Sequence, residues 1–328
     1  MTSAPLSPTP QSPTVGSITP TPQHWLILMI IVVCGGSSFS GIRIAVETAP
    51  PAVVAAGRLW VATLMLAVYM KATGREMLPL REGGRLSPSW IFALFIGLAG
   101  YAVPMTLFPF AQQHVSSMLA GIYMAFMPLV TVILAATFAD EPLTVRKITG
   151  FAAGTLGVII LIGPDALSHL LSDSVIAQGA LLLATTGYAI SSVLTRRAPP
   201  AAARSFAVAI MLLAAIAATP LAIREGLRES AISIRSWLAI VYLGLVPTGL
   251  TAILIINVVR GAGAGFMAMG NYLTPGVAII LGMLMFGETL EWRFLFGLIA
   301  ILTGVAIAQP GPIAFLRAKL QRRTAVRS

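Results

Sequence analysis

Arg58 lies seven residues into an otherwise apolar stretch, residues 52–70. A guanidinium near the centre of a lipid bilayer costs about 2.5–3.5 kcal/mol on an insertion scale, so such a side chain faces the protein interior or a water-filled cavity. There it can hold a carboxylate or phosphate on a bound solute, or serve structurally by reaching backbone carbonyls or the interface. Glu141 and Glu288 each follow an apolar stretch. Carboxylates there can couple protons or gate a path, or they can cap a helix or pair with Arg146 and Arg293. No acidic residue falls well inside an apolar stretch. Polar side chains at similar depth are candidates to line a cavity with Arg58: Ser37, Ser38, Tyr101, Tyr123, Tyr188, Ser191, Thr248, Asn271 and Tyr272. Any one of them alone suits an interhelical hydrogen bond. As a set they suit a small neutral or zwitterionic solute.

The rest of the chemistry is sparse. His24, His114 and His169 are scattered without metal-ligand spacing, the single cysteine, Cys34, sits in an apolar run, and no phosphate-binding glycine loop occurs. No catalytic constellation, metal or cofactor is expected, and neither is an enzyme.

The elements that position these groups follow from composition. Of 328 residues 57% are hydrophobic and 10% charged, with mean hydropathy +0.90, against about 25% charged in soluble domains. The solvent is therefore largely lipid. A membrane-spanning helix needs roughly 20 apolar residues, and such runs fall at about 25–46, 52–70, 89–112, 116–138, 145–163, 177–195, 204–222, 236–258, 264–286 and 292–309. The uncharged, Pro/Ser/Thr-rich residues 1–23 predict a disordered tail, and the basic stretch 311–328 a tail in water. Pro104, Pro128, Pro247 and Pro275 interrupt four of the runs. A proline within a helix removes a backbone hydrogen bond, so these are candidate hinges or cavity-lining breaks. Gly150, Gly154, Gly157, Gly297 and Gly304 form small-residue stripes, which favour close helix contact and would allow a homodimer.

The chain is duplicated. Shifted by 147 residues, Ser89–Leu161 lies over Ser236–Ala308 without a gap: Trp90 meets Trp237, Pro128 Pro275, Glu141 Glu288, Arg146 Arg293, Gly150 Gly297 and Gly157 Gly304. An Ala-Pro-Pro recurs at Ala49 and Ala198. The unit is five helices, 24–165 and 175–310. Five being odd, the second copy enters from the opposite face, which makes an all-α membrane protein of ten spans in two inverted repeats, an architecture of secondary transporters. With both termini cytoplasmic, 15 basic residues fall inside (Lys71, Arg75, Arg81, Arg85, Arg146, Lys147, Arg196, Arg197, Arg204, Arg260, Arg317, Lys319, Arg322, Arg323, Arg327) and five outside (Arg43, Arg224, Arg228, Arg235, Arg293), as the positive-inside rule requires. Because the basic residues sit in these short gaps, the pI of about 10.6 reflects topology, and no nucleic-acid partner is expected.

Two blocks carry a family resemblance: Tyr123–Gly163 and Asn271–Gln309 each hold a proline within a helix, a glutamate at its end and a glycine-rich following helix. With the AAGRLWVA segment around Arg58, they resemble EamA-type members of the drug/metabolite transporter superfamily from residue 25 to 310. Asp140-Glu141 departs from the more usual Gly-Glu, and Gly35–Ser40 lacks a frequent tryptophan. The resemblance implies a ten-helix carrier of the bacterial inner membrane with a central cavity, exporting amino acids or related metabolites. A passive channel is the alternative. A membrane-embedded enzyme would need clustered acids or histidines within the spans, and a structural subunit would not need paired helix-breaking prolines.

Overall fold

The computed structural model describes residues 21–138, 144–163, 173–227, 231–262, 266–267 and 269–308. Within them the chain is helical apart from one small hairpin, Arg81–Glu82 paired with Arg85–Leu86. Gly83 and Gly84, at φ +58 and +82, make its two-residue turn, a left-handed geometry that suits glycine. Eight helices are long and apolar enough to cross a membrane: α1 Pro22–Ala45, α2 Pro51–Ala72, α3 Pro88–Gln112, α4 Ser117–Phe138, α5 Val145–Ile162, α6 Asp173–Arg197, α7 Ala203–Gly226 and α8 Ile234–Val259. Two shorter apolar helices follow, α9 Gly270–Phe286 and α10 Trp292–Ala308. Residues 263–265 and 268, within the expected ninth run, lie outside the described residues, as do both tails beyond Thr21 and Ala308. The expected tail of 1–23 runs two residues too far, since Pro22 and Gln23 are already helical.

Local chemistry sets the helix starts. Pro22, Pro51 and Pro88 stand in the first turn of α1, α2 and α3, where a missing N–H is harmless and the fixed φ is helical. Ser116, Thr144 and Ser233 accept from the backbone N–H of Leu119, Lys147 and Ser236 and cap α4, α5 and α8. Large apolar side chains such as Leu64, Leu156, Leu183 and Leu284 point outward, which is where lipid covers them. The main core, with Phe39, Phe108, Met118, Tyr123 and Leu181, lies between α1, α3, α4 and α6.

Three pairs of helices that correspond in the two sequence repeats, α2 with α7, α4 with α9 and α5 with α10, pack against one another antiparallel. Along α2 and α7, the Ala52 N–H donates to the Glu225 carboxylate, Trp60 Nε1 donates to the Thr219 hydroxyl, and Arg204 lies over the Tyr69 ring. Along α4 and α9, Gly121 packs on Ala278 and Gly282 approaches Met118. Along α5 and α10, a Cβ placed on Gly150 would lie 2.5 Å from the Gly304 carbonyl oxygen, and one on Gly157 2.7 Å from that of Gly297. Only glycine permits such backbone approach. The stripes expected to allow a homodimer are thus filled from within the chain.

The expected proline interruptions take three forms. In α3 and α8 the helix widens into π-helical turns, Leu98–Ala102 and Gly244–Leu250, at the same place in each repeat. α4 breaks at residues 125–126, and Pro128 is the second residue of its second segment, Met127–Phe138. α9 runs on through the buried Pro275.

Candidate functional site

The site is built from the α8 π-turn upward. Pro247 has no N–H, so the carbonyl of Leu243, four residues earlier, loses its helical donor. The Thr248 hydroxyl takes that place and donates to the Leu243 oxygen at 2.8 Å. Its proton committed, the Thr248 oxygen acts as an acceptor. Arg58 from α2 donates to it twice, from Nε at 3.2 Å and Nη2 at 2.9 Å, and Nη2 also reaches the Ser38 hydroxyl of α1 at 3.3 Å. Arg58 is 5% exposed. Among the described residues no carboxylate pairs with it, and its Nη1 has no acceptor. A buried charge is costly unless paired, so this guanidinium, held by hydroxyls alone, lacks an anion.

The facing wall comes from α3 and α6. Tyr188 is within electrostatic range of both Arg58 and Tyr101. Both tyrosines keep part of their surface uncovered. Tyr101 sits in the α3 π-turn, 147 residues before Thr248, at the equivalent place in its repeat. Ser191 donates to the Tyr188 carbonyl at 2.9 Å and packs against Gly100. Pro104, buried just beyond that π-turn, rests against Gly187 of α6. π-turns inside α-helices often mark functional sites. Arg58, Ser38, Thr248, Tyr101, Tyr188 and Ser191 are thus grouped midway along their helices.

The other expected residues lie elsewhere. Ser37 donates to the Cys34 carbonyl and shares a 2.6 Å hydrogen bond with Tyr242, joining α1 to α8. Tyr123 is fully buried in the main core and donates to Gln178 of α6 at 2.7 Å, so its hydroxyl is occupied. Asn271 is exposed near the start of α9, and Tyr272 packs half-buried on the main core. Glu288 reaches back to the start of α4. Its carboxylate accepts from the Ser117 N–H and hydroxyl, both at 2.8 Å, and the Met118 N–H at 2.9 Å. Glu288 therefore caps a distant helix, while Arg293 pairs with Glu291. Glu141 lies outside the described residues.

Around Glu288 further bonds join the first five helices to the last five at one end of the bundle. Thr48 donates to Ser236 at 2.8 Å and to Ser233 at 3.1 Å, Glu47 pairs with Arg235 at 3.3 Å, and Glu225 holds the start of α2. At the other end Ser205 donates to the Glu76 carbonyl and Arg146 to that of Ile307. Sequence reasoning missed Tyr242, Gln178 and Ser236, whose partners lie 55 to 205 residues away and leave no local signal. It also missed Ser40, Gln112 and Thr185 on α1, α3 and α6, which are buried with side-chain polar atoms lacking a partner among the described residues. Water or a ligand commonly satisfies such atoms.

Apolar helices long enough to cross a membrane, gathered around a buried guanidinium, define the class: a polytopic helical membrane protein. The particular family follows from comparison: the EamA-like transporter family matches twice, over residues 24–163 and 175–308, and the chain belongs to it. Relatives are distant. An uncharacterized inner membrane transporter of Escherichia coli K12, YedA, is 27% identical over 81% of this chain and 84% of its own. An uncharacterized transporter of Bacillus subtilis, YdfC, is 25% identical over 82% and 85%. A probable terminal-alkyne amino-acid exporter of Streptantibioticus cattleyicolor is 25% identical over 80% and 84%. One solved structure, 20% identical, superposes with a TM-score of 0.60 over 88% of this chain and 97% of its own, a likeness of fold. The protein is a multi-pass membrane transporter.

Proposed function

We propose that this protein is a secondary carrier that exports small organic solutes bearing a carboxylate, amino acids foremost, by alternating access. The observation that carries the reading is Arg58: buried, oriented by Thr248 and Ser38, and without a carboxylate partner among the described residues. A substrate carboxylate supplies the missing charge through Nη1, and Tyr101, Tyr188 and Ser191 face it across the centre. The name of the Streptantibioticus relative points to the same solute class.

The reading includes ten spans in two inverted halves with both termini cytoplasmic. The antiparallel pairing of α2 with α7, α4 with α9 and α5 with α10 supports the inversion, since a two-fold axis in the membrane plane makes equivalent helices run oppositely. The placement of basic residues supports the orientation. Hydrogen bonds crossing between the halves at the Glu288 end support a state closed on that side, with Glu288 as part of its seal.

The test is counterflow in proteoliposomes preloaded in turn with pooled amino acids, organic acids and nucleosides. Accelerated uptake of labelled amino acid into vesicles holding the amino-acid pool is the expected result. Acceleration by nucleosides alone would remove the carboxylate reading, and a passive leak that no pool accelerates would favour a channel.

A further inference from the structure

A second cationic site lies at the opposite end of the bundle from Glu288, away from Arg58. A cavity of about 150 Å³ is lined by Arg75, Ala202, Ala203 and Arg204. Each wall has a local cause. α2 ends in a reverse turn in which Gly74, at φ +65, adopts the left-handed conformation, its N–H bonding the Lys71 carbonyl and that of Arg75 the Met70 carbonyl. That turn fixes Arg75 just past the helix. Ser205 donates to the Glu76 carbonyl at 2.6 Å and ties this turn to the start of α7. The Arg204 guanidinium stacks 5.2 Å from the Tyr69 ring centre, which holds its plane. Alanines at 202 and 203 leave the space between the arginines open.

The electrostatics are unbalanced. Among the described residues Arg204 Nε is buried without an acceptor, and neither Arg75 nor Arg204 pairs with a carboxylate. α7, 24 residues long, starts here with no side-chain cap, so its free N–H groups and positive dipole end add to the same field. Two guanidiniums and an uncapped helix start around a small cavity match a phosphate group, which accepts several charge-assisted hydrogen bonds. The site borders the end of α2 and the start of α7, where membrane-spanning helices meet water, and basic pockets at that depth suit phospholipid headgroups.

We propose that Arg75, Arg204 and the start of α7 form a binding site for a phosphate group, delivered by an anionic phospholipid headgroup or by free phosphate. The test is native mass spectrometry of the purified full-length protein, reconstituted with phosphatidylglycerol in phosphatidylcholine, beside thermal-shift titration with inorganic phosphate. Each arginine contributes about fivefold in affinity for an anionic headgroup, from about 1 kcal/mol per basic residue. R75Q and R204Q are therefore each expected to lose several-fold of the retained phosphatidylglycerol, and the double variant more. R75K and R204K keep the charge and retain part of it. R81Q/R85Q, which alters nearby exposed charge, leaves it unchanged. Loss of lipid retention in the arginine variants identifies the headgroup as the source. An arginine-dependent thermal shift with inorganic phosphate, with lipid retention unaltered, identifies free phosphate. Equal lipid retention and equal phosphate response in wild type and R75Q/R204Q, both folded by thermal unfolding, overturns the site.

Discussion

Arg58 and Thr248 act as one unit. Proline at 247 frees a carbonyl, the threonine hydroxyl covers it, and the hydroxyl oxygen then holds the guanidinium. Removing Arg58 takes away a buried charge-assisted contact, for which losses of about 2 kcal/mol or more are usual. Arg58→Ala is therefore expected to weaken counterflow at least tenfold with the folded protein retained. Arg58→Lys fails similarly, because an ammonium cannot place two nitrogens on Thr248 while offering a third to solute. Thr248→Val, nearly isosteric, leaves Arg58 with only its 3.3 Å contact to Ser38 and should approach the Arg58→Ala defect, whereas Thr248→Ser keeps activity. Unchanged counterflow in Arg58→Ala would remove Arg58 from the binding role.

At the scale of elements, Glu288 acts on a helix it does not belong to. Its carboxylate neutralises the first N–H groups of α4, where the helix dipole favours a negative charge. Glu288→Ala leaves those donors without a partner and is expected to cost about 1–2 kcal/mol, in the range of a lost helix cap. A lower Tm in detergent reads the loss. Glu288→Gln keeps an acceptor oxygen but no charge and should fall between. If the contact also seals one end, Glu288→Gln alters the transport rate more than its small change in Tm accounts for. Proportionate changes would make Glu288 a cap and nothing more.

At the scale of the molecule, the proposed alternating access requires the halves to part at the Glu288 end, where Thr48 meets Ser233 with the hydroxyl oxygens 3.1 Å apart. Cysteines at these two positions, in a background where the buried Cys34 is replaced by alanine, are close enough to cross-link. Oxidation is expected to stop counterflow and a reductant to restore it. Full activity of the cross-linked protein would show that this end does not open.

The sequence alone determined most of the helices, because length and unbroken apolarity leave a chain in lipid no other way to satisfy its backbone. It also carried the duplication, the family and the singular position of Arg58, since a charge in an apolar run is conspicuous whatever surrounds it. Tertiary structure decided which polar residues meet. Ser38, Arg58 and Thr248 come from three helices, up to 190 residues apart for Arg58 and Thr248, while Tyr123, equally plausible by depth, turns into the core toward Gln178. Depth along a helix can be read from sequence, but the face it presents depends on which neighbour it packs against. The same holds for Pro104 and Pro247, whose effect was legible as an interruption but not as a π-turn, and for Glu288, whose partners lie at the start of a helix 170 residues earlier. Local residue types fixed what each group can do chemically, and only long-range packing selected its partners.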